Sequence, residues 1–516
     1  MIGTMSLTGW ILRQVLNRRL RQVARAQENP SAAQERLLLG FVRRAAATEW
    51  GRTHGFAAIR SVRDFQRAVP IASYEDLAPL WHRAFDGARN VTWPGHIRYF
   101  AVSSGTTTGR TKYLPVSREA LRANVRSGMT LLALIERQAP DADLAGGKTL
   151  YFGSSTHLER RGACWAGDSS GINARQVPRF AGRYRLPEPD VASIADWAER
   201  SEAVCQHYLD SPVRAIVGLP AWTLTLFRRL VDVARERRSA SISTVGEVWP
   251  GLRAFVHFGM AFDPYREQFK ELVGRPIAYI DTYSSTEGGM TAIQSDQADP
   301  SMQLELDAPA FHEFVPFAEH GRPDPPRLTL DQVETGVDYA LVLSTPAGIW
   351  AYDVGDVVRF TSLRPPKIVF AGRTRLTLNT FGEHLTGEEI DRLIAEAAEA
   401  VGAALRDFTV TSVPPTAAQP RGHHLWLVEF EGPVPPLDIL ATQIDKNARA
   451  TNMDYETYRS GAIDPPEVVS LAQGTFYEWA RRHDAVGGQH KIPRVARSRE
   501  MVEELLSLSK TLARNP

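Results

Sequence analysis

The sequence predicts an α/β fold with a large N-terminal domain, residues 1–372, and a small α+β domain, residues 373–516. Between residues 146 and 300, short apolar runs alternate with helical patterns, which is typical of βαβ units and a largely parallel sheet. Residues 303–370 carry shorter strand-like runs joined by Pro- and Gly-rich turns, which indicates a β-rich subdomain. After residue 373, a helical pattern and two strand-like runs separated by prolines indicate the smaller domain.

Length and composition exclude several classes of protein. At 516 residues the chain is too long for one hydrophobic core, and its 43% hydrophobic and 23% charged residues are ordinary for a soluble globular protein. No stretch approaches the roughly 20 uncharged apolar residues of a membrane helix, so we expect no membrane partner. The 60 basic and 59 acidic residues nearly cancel and basic clusters are short, so we expect no nucleic-acid partner. Nothing in the sequence indicates an obligate protein partner.

The cysteines and the N-terminal segment indicate the cellular compartment of the protein. Two cysteines, Cys164 and Cys205, do not form the disulfide framework of a secreted domain, and their spacing suits no metal site. Residues 1–20 mix apolar residues with arginines and lack the apolar core of a signal peptide. We therefore expect a cytoplasmic protein whose N-terminal segment forms an amphipathic helix on its own surface.

The predicted elements follow from apolar spacing. Residues 33–48 carry apolar side chains at helical spacing and predict a packing helix that ends near Gly51, and helical patterning returns at 117–138. The predicted strands of the large domain are 149–152, 215–217, 254–258, 278–280, 311–316, 339–343 and 357–360. The small domain is predicted to contain a helix at 387–401 and strands at 408–410 and 425–430.

A polar loop follows the strand-like run 96–102. Residues 103–112 contain six hydroxyls, two glycines and a terminal lysine, and no apolar side chain apart from the threonine methyls. Glycine lets the main chain approach an anion closely, and successive N–H groups, hydroxyls and a lysine donate hydrogen bonds to it. The segment predicts a phosphate-binding loop, although its spacing departs from the Walker pattern. A Ser/Thr-rich surface turn is the alternative.

Acids and cations further along the chain fall at predicted strand ends. Residues 281–289 follow an apolar strand, which places Glu287 at the sheet edge where open α/β folds bind ligands. Residues 352–356 place Asp356 in a predicted turn between two strand-like runs, and Arg373 and Lys491 add cations. Each of these residues alone is typical of a solvated surface.

Together the three segments 103–112, 283–287 and 352–356 resemble, in order and roughly in spacing, the nucleotide motifs of one family. This is the auxin-responsive Gretchen Hagen family of acyl acid amido synthetases, within the adenylate-forming superfamily. Segments 54–56, 64–65, 69–71, 74–77, 311–316 and 489–494 are also similar to that family, so the resemblance covers nearly the whole chain. Two residues depart from its pattern, because Asp353 stands where the family often has Arg and Thr286 where it often has Ser.

The resemblance implies a large adenylate-forming domain, a small mobile C-terminal domain, and a ligase that uses ATP and Mg²⁺. An auxin-, jasmonate- or benzoate-like carboxylic acid would attack the α-phosphate of ATP, release pyrophosphate, and leave an acyl-adenylate that an amino acid captures. Such chemistry needs positioning and charge neutralisation more than a protein nucleophile. The implied catalytic residues are Glu287, as the Mg²⁺ ligand, and Lys491, carried by the mobile domain. The implied nucleotide-binding residues are Ser103, Ser104, Gly105, Thr106, Thr107, Lys112, Tyr283, Ser285, Thr286, Asp356 and Arg373.

The prediction of an acyl acid pocket is based on two apolar runs. Leu219 and Trp222 lie in the first, and His257 and Gly259 in the second, where the family builds pocket walls. Pockets and cores share this composition, so a purely structural role stays open. The sequence does not identify the acid or the amino acid.

Two alternatives share the nucleotide-binding fold. An acyl-CoA synthetase would use the same adenylation step and a different acceptor. A non-catalytic nucleotide-binding regulator would have lost turnover, and the presence of Glu287, Asp356 and Lys491 together disfavours it.

Two further patterns suggest unrelated chemistry. Residues 167–171 match the Gly-x-Ser-x-Gly elbow of serine hydrolases, but we expect no strand-turn-helix there, because the preceding run is a weak strand and Pro178 follows soon after. His423 and His424 suggest a metal ligand pair, and we expect them instead to be exposed beside a strand and assign no zinc.

Overall fold

The computed structural model describes residues 7–103, 112–176, 182–259, 262–374, 378, 383, 385, 387–413, 421–452, 455–456, 459, 463–483, 492–496 and 498–514. The chain divides into two units. The first combines Met1–Met260 with Leu272–Phe370, and the second combines Ala261–Glu271 with Ala371–Pro516. The domain boundary that the sequence predicts near residue 373 stays a prediction, and the second unit also takes in a short segment from the middle of the chain.

Several helices of the first three-quarters of the chain begin at short polar caps. Side chains of Asn29, Thr48, Ser61, Ser73, Ser117 and Asp196 accept hydrogen bonds from main-chain N–H groups of the first helical turn. The helices are α1 (Leu7–Glu28), α2 (Pro30–Ala45), α3 (Glu49–Thr53), α4 (Val62–Ala68), α5 (Tyr74–Phe85), α6 (Arg118–Gln138), α7 (Ser169–Arg175), α8 (Pro189–Ala192), α9 (Trp197–His207), α10 (Pro220–Arg237), α11 (Val245–Val248) and α12 (Arg266–Val273).

The predicted helix over residues 33–48 is wrong at its C-terminal end. Helix α2 ends at Ala45, and Thr48 then caps the separate short helix α3, which contains Gly51. A side chain at Gly51 would place its Cβ atom against the Ala45 carbonyl oxygen. The glycine therefore allows two helices to pack closely instead of ending one.

The N-terminal segment forms helix α1, as the sequence predicts. Its buried Arg19 donates hydrogen bonds to Thr130 of α6 (2.8 Å) and to Glu305 (3.0 Å), and it also contacts Asp307. Burial, only partly offset by Arg19, raises the pKa of Glu305 to about 7. A buried polar cluster thus joins α1 to the rest of the first unit.

Strands β1–β15 form two sheets. They are β1 (Tyr99–Ser103), β2 (Lys112–Val116), β3 (Lys148–Phe152), β4 (Glu159–Arg161), β5 (Cys164–Gly167), β6 (Arg185–Leu186), β7 (Val213–Gly218), β8 (Ala254–Phe258), β9 (Ala278–Ser285), β10 (Gly289–Gln294), β11 (Met302–Leu304), β12 (Phe311–Pro316), β13 (Asp338–Thr345), β14 (Ile349–Leu363) and β15 (Pro366–Arg373). A four-stranded sheet has the order β2-β1-β5-β4, and an eleven-stranded sheet has the order β12-β13-β14-β15-β11-β10-β9-β8-β7-β3-β6.

The eleven-stranded sheet is mixed. Strands β6, β3, β7, β8 and β9 are parallel, and β9, β10, β11 and β15 then pair antiparallel, as do β12, β13 and β14. The strands predicted between residues 146 and 300 supply the parallel half. Those of the predicted β-rich region continue the same sheet, because β11 joins β10 to β15.

The main core of the first unit is aromatic. Trp350 packs its ring against Phe56 (centroids 4.8 Å apart), Phe65 (6.3 Å) and Trp93 (6.0 Å), and all four side chains are almost fully buried. Large aromatic side chains bury 150–250 Å² each, so such a cluster dominates local stability. Across the described residues, no helix is both long and apolar enough to cross a membrane.

The second unit contains a three-stranded sheet and four longer helices in its described part. The helices are α13 (Gly387–Ala400), α14 (Leu437–Thr451), α15 (Thr475–Arg482) and α16 (Arg499–Arg514). The strands are β16 (Ala404–Val413), β17 (His423–Glu431) and β18 (Glu467–Leu471), in that order, with β17 antiparallel to β16 and parallel to β18. The predicted helix over 387–401 and both predicted strands are therefore confirmed.

The expectation that His423 and His424 are exposed is wrong. Both lie buried at the start of β17. The Nε2 atom of His424 lies 2.9 Å from Oε1 of the fully buried Glu383, and that of His423 lies 3.3 Å from Oε2 of Glu467. Both histidines can be buried because their carboxylate partners, Glu383 and Glu467, come from other parts of the chain, where the local sequence does not reveal them.

Candidate active site

The carboxyl ends of three parallel strands meet at one edge of the large sheet. Strand β7 leads into Leu219, β8 into Gly259, and β9 into Thr286 and Glu287. These strands are neighbours in the sheet, so the residues that follow them lie along a common edge. Ligands of open α/β folds bind at this edge.

The β9–β10 turn shapes the Glu287 segment. The hydroxyl of Ser285 accepts a hydrogen bond from the N–H of Gly288 (2.9 Å), so this side chain helps to close the turn. Gly289 has a φ of +71°, and a Cβ atom there would collide with the amide oxygen of Asn124. The positive φ favours glycine at residue 289, and the contact with Asn124 shows that α6 lies against the turn.

Glu287 lies near a buried phenol. Burial, followed by the charges of Glu287 and Glu75, raises the pKa of Tyr352 well above the ordinary tyrosine value. The ring of Tyr352 also packs 6.1 Å from that of Trp81 on α5. The charges of the half-buried Glu287 and of Glu75 thus act on the same buried phenol.

The ends of the polar loop belong to one β-hairpin. Strand β1 ends at Ser103 and β2 begins at Lys112, and these two residues are cross-strand partners. The Nζ atom of Lys112 lies 5.3 Å from the ring centroid of Tyr74, and the Tyr74 hydroxyl accepts a hydrogen bond from the N–H of Tyr113 (3.0 Å). Helix α5 thereby orients the residue that ends the loop. The side chain of Ser103 and the predicted phosphate ligands Ser104, Gly105, Thr106 and Thr107 lie outside the described residues.

The predicted turn over residues 352–356 is wrong, because these residues lie inside the long strand β14. Val342 of β13 pairs with Asp353, and Ala340 pairs with Val357, so β14 carries two extra residues at this point. Gly355 adopts a φ of +79° within this β-bulge. Bulges re-aim side chains and often occur beside active sites.

The bulge brings Asp356 to Tyr283. The Tyr283 hydroxyl donates a hydrogen bond of 2.5 Å to Oδ2 of Asp356, and both residues are buried. The Tyr283 ring stacks on Phe370 with a centroid distance of 6.3 Å and an interplanar angle of 28°. Two of the predicted nucleotide-binding residues, from segments more than 70 positions apart, are therefore in direct contact.

Asp353 has a local structural role in the same bulge. One carboxylate oxygen accepts a hydrogen bond from the N–H of Gly355 (2.9 Å), and the other lies 2.9 Å from Nε2 of His320. The carboxylate thus stabilises the positive-φ conformation of Gly355. One of the two residues that depart from the family pattern thus has a structural role within the bulge.

The residues predicted for the acyl acid pocket lie at the same sheet edge. Leu219 is buried directly before α10, and the half-buried Trp222 packs 5.0 Å from the ring of Trp197. The side chain of His257 is buried with Nδ1 3.3 Å from Oδ1 of Asp281. Gly259 adopts a φ of +82°. An aromatic surface and a histidine-carboxylate pair thus flank the ends of β7 and β8.

Tyr74 and Tyr352 are two further residues of the site that the sequence does not single out. Lys112 lies over the ring of Tyr74, and the charge of Glu287 acts on the Tyr352 phenol. A signal was present, since both tyrosines adjoin acids in motifs that resemble the family. Arg373 is the last residue of β15, and this residue belongs to the second unit. Lys491 lies outside the described residues.

The expected absence of a strand-turn-helix around Ser169 is wrong. Strand β5 ends at Gly167 and helix α7 begins at Ser169, which is the local order of a nucleophile elbow. Packing explains the glycines, because a Cβ atom at Gly167 or Gly171 would meet main-chain oxygens of residues 157 and 155. Within the described ranges, no hydrogen bond joins the Ser169 hydroxyl to a histidine, so no activating partner for this serine is found among those residues.

Metal binding at this edge would depend on Glu287. In the described part of the chain, no three or more histidine, cysteine, aspartate or glutamate side chains cluster as an all-protein metal site. Mg²⁺ does not need one, because it usually keeps several waters and binds through one or two carboxylates together with substrate phosphates. A half-buried carboxylate in the turn that follows β9 fits this mode of binding.

Comparison with known families gives matches to three domains of one family. The GH3 family N-terminal domain matches residues 19–201, the GH3 family central domain matches residues 304–373, and the GH3 family C-terminal domain matches residues 388–500. The three domains occur in this order and together span well over half of the chain.

Curated relatives match over nearly their full length. Indole-3-acetic acid-amido synthetase GH3.8 of Oryza sativa subsp. indica is 26% identical, with 94% of this chain and 92% of the relative covered. Jasmonoyl--L-amino acid synthetase JAR4 of Nicotiana attenuata is 22% identical, with 89% and 90% covered.

Solved structures support the fold. AtGH3.15 acyl acid amido synthetase in complex with 2,4-DB has a TM-score of 0.76 at 18% identity, covering 95% of this chain and 96% of that one. A 2-hydroxyisobutyryl-CoA ligase in the postadenylation state has a TM-score of 0.60 at 15% identity, covering 94% and 93%. Both confirm the predicted α/β class with a large N-terminal and a smaller C-terminal part.

Proposed function

Because the chain belongs to the GH3 family, we propose that it is an ATP-dependent acyl acid amido synthetase. It activates a small carboxylic acid as an acyl-adenylate with release of pyrophosphate, and then joins the acyl group to an amino acid through an amide bond. The observation that carries the proposal is the match of all three family domains in order. The relatives named above conjugate indole-3-acetic acid or a jasmonoyl group, which suggests a similar acid here.

The geometry of the first unit supports an ATP site at the sheet edge. Lys112, held over Tyr74 at the end of the hairpin, supplies a cation for the phosphates. Asp356 is a carboxylate acceptor for ribose hydroxyls, oriented by the Tyr283 hydroxyl. Tyr283 and Phe370 offer a stacked aromatic surface for the adenine ring.

Glu287 would hold Mg²⁺, which neutralises phosphate charge when bound. The turn formed by Ser285, Gly288 and Gly289 holds this carboxylate at the end of β9. Ser285 and Thr286 remain candidate nucleotide contacts, with the Ser285 hydroxyl already engaged in its own turn. Arg373 and Lys491 are proposed to act from the second unit.

The acid is proposed to bind beside Leu219, Trp222, His257 and Gly259. Trp222 and Trp197 present an aromatic face that suits an aromatic or cyclic acid. The two buried cysteines fit a reducing compartment, and a cytoplasmic location belongs to the same proposal.

The test is acid-dependent exchange of labelled pyrophosphate into ATP. A panel of indole, jasmonate-like, benzoate and phenoxy acids is screened with Mg²⁺, and positive wells then receive single amino acids or coenzyme A. We expect exchange with at least one acid and an amide product with an amino acid. No exchange with any acid would contradict the proposal.

A second candidate function is an acyl-CoA ligase. The fold likeness to 2-hydroxyisobutyryl-CoA ligase favours it, since both reactions begin with adenylation. A thioester product with coenzyme A, and no amide with any amino acid, would select this alternative.

A further inference from the structure

A buried threonine hydroxyl lies at the start of helix α10. Thr223 is fully buried, and within the described part of the chain its hydroxyl has no hydrogen-bond partner. A Cβ atom at Gly218, the last residue of β7, would lie 2.6 Å from Oγ1 of Thr223 and 3.1 Å from the carbonyl oxygen of Phe152, the last residue of β3. Because helical side chains tilt towards the helix N-terminus, the hydroxyl points back to the carboxyl ends of these two strands.

The N-terminus of α10 lies at the same edge of the sheet. Leu219 occupies the N-cap position without a side-chain hydrogen bond to the first turn, and Pro220, the first helical residue, has no N–H group to donate. The first N–H groups of an α-helix have no acceptor inside the helix, and over the 18 residues of α10 the aligned peptide dipoles place partial positive charge at this end. Such a helix end binds acceptor oxygens, above all those of anions.

The buried hydroxyl is a second and independent sign of a ligand. A buried hydroxyl without a hydrogen-bond partner destabilises the folded state, so valine, which has a similar shape, would stabilise the protein better at residue 223. A bound oxygen atom would supply the partner. The Thr223 hydroxyl and the helix N-terminus both offer donors at the end of β7, and together they suit one oxygen-bearing group.

The neighbouring side chains suit the carbon skeleton of an acid. In the sheet, Gly218 pairs with Phe152 on one side and with His257 on the other. The ring of Trp197 lies 5.8 Å from that of Phe152 and 5.0 Å from that of Trp222. The donors therefore lie beside the aromatic rings and the histidine at which the acid is proposed to bind.

We propose that the N-terminus of α10 and the Thr223 hydroxyl form a subsite for a second acceptor oxygen of the acyl acid. The inference rests on the proposed function, which makes an acid the substrate. Strand β8 lies between β7 and β9, and neighbouring strands are about 4.8 Å apart, so a group at the end of β7 lies at least about 9 Å from β9, which carries Tyr283 of the proposed ATP site. The second oxygen, from a carboxylate or a carbonyl group, therefore belongs to the end of the acid remote from the reacting carboxylate.

The test compares phenylpropanoic acids that differ only at the para position. The para-carboxyl and para-acetyl derivatives carry an acceptor oxygen, and the para-isopropyl derivative has a similar shape without one. We expect wild-type kcat/KM in acid-dependent pyrophosphate exchange to be about 10-fold or more higher for an oxygen-bearing acid than for the isopropyl acid. The better of the two oxygen-bearing acids identifies the oxygen as carboxylate or carbonyl. No preference for either of them over the isopropyl acid would overturn the subsite.

Thr223→Val replaces the hydroxyl with a methyl group of similar size. The ratio of kcat/KM for the preferred oxygen-bearing acid to that for the isopropyl acid should fall about 10-fold, and a general loss of activity would leave this ratio unchanged. The melting temperature should not fall, because the hydroxyl has no partner among the described residues. An unchanged ratio, or a clear fall in melting temperature, would assign the hydroxyl to the fold alone and overturn the inference.

Thr345→Val is the matched control. Thr345 is also buried in the first unit, but its hydroxyl accepts a hydrogen bond from the N–H of Ala347 (3.3 Å). This substitution should lower the melting temperature and leave the ratio between the acids unchanged. A ratio that falls as far as in Thr223→Val would mean that the loss of any buried hydroxyl has this effect, and would overturn the inference.

Direct binding separates this inference from the proposed function. Each acid is added without ATP, and the rise in melting temperature is measured for the wild type and Thr223→Val. No exchange with any acid would contradict the proposed function, whereas a larger rise with an oxygen-bearing acid than with the isopropyl acid, lost in Thr223→Val, would still support the subsite. Equal rises in a protein that catalyses exchange would overturn the subsite alone, and the absence of both exchange and any difference in binding would overturn both.

Discussion

The hydroxyl of Tyr283 donates a 2.5 Å hydrogen bond to the carboxylate of Asp356, and this contact joins strand β9 to the bulge in β14. The two residues come from separate sequence motifs, and the bulge is what brings the second one to the first. A hydrogen bond to a charged group contributes about 1.5–3 kcal/mol, so the contact can both stabilise the fold and orient a ligand-binding carboxylate.

Tyr283→Phe removes only this donor. We expect the free energy of unfolding to fall by about 1–3 kcal/mol and the KM for ATP to rise, because Asp356 loses the group that orients it. Denaturant unfolding and exchange kinetics measure the two effects. Tyr339→Phe is the control, since its hydroxyl accepts from the N–H of Glu334 on another part of the sheet. An unchanged KM for ATP in Tyr283→Phe would remove Asp356 from the nucleotide site.

Glu287→Gln keeps the shape of the side chain and removes its charge. We expect adenylation to fall by about 100-fold and the Mg²⁺ concentration for half-maximal exchange to rise, with little change in melting temperature. Glu75→Gln is the matched control, because its charge also acts on Tyr352 but it is not a proposed metal ligand. Wild-type Mg²⁺ dependence in Glu287→Gln would refute the assignment.

Lys112→Ala tests the end of the polar loop, and Ser104→Ala tests its interior. Both should weaken ATP use without changing the order in which acids are preferred, since a phosphate contact is remote from the acyl group. Arg161→Ala is the control for Lys112, because this exposed cation lies 5.6 Å from the ring of the adjacent Tyr113. A changed acid preference with an unchanged KM for ATP would assign the loop to the acyl pocket.

Lys491→Ala should separate the two half-reactions. Loss of one well-placed charge at the α-phosphate commonly lowers a rate by about 10²–10³, and adenylate formation should fall by that factor. Capture of a synthetic acyl-adenylate by the amino acid should fall much less, because the negative charge leaves with AMP. Equal losses in a protein of normal melting temperature would count against a mobile domain that delivers the lysine.

His312 makes stability depend on pH. Burial lowers the pKa of this histidine to about 3, so the native ring stays neutral while the unfolded chain takes up a proton below about 6.5. The unfolded state then binds more protons, and between pH 7 and pH 5 the protein should lose about 2 kcal/mol through this group. His312→Gln should abolish that loss, whereas the exposed His207→Gln should not. Identical pH profiles for His312→Gln and wild type would refute the effect.

The order of strands and helices could be predicted because it depends on local spacing. The apolar runs of β7, β8 and β9 and the helical pattern of α13 are visible in the sequence, and each formed as predicted. The edge position of Glu287 followed from the same reasoning, because a residue after a parallel strand has to lie at the carboxyl edge.

Structural features that depend on residues far apart in the sequence could not be predicted in the same way. The bulge at residues 353–357 exists only relative to the pairing of β13, so the isolated sequence suggested a turn. The burial of His424 depends on Glu383, 41 positions earlier, and the contact between Lys112 and Tyr74 depends on the docking of α5. No local sequence pattern predicts contacts between residues this far apart in the chain.

The two extra residues of β14 make the strand less regular, but they place Asp356 beside Tyr283. Removing them would restore the ladder with β13, and a design procedure that rewards ideal strands would favour the shorter sequence. The shortened protein would then carry Asp356 to a different register, away from Tyr283. Stabilisation of this enzyme by idealising its sheet should therefore spare the bulge, and variants selected only for melting temperature should be checked first at this position.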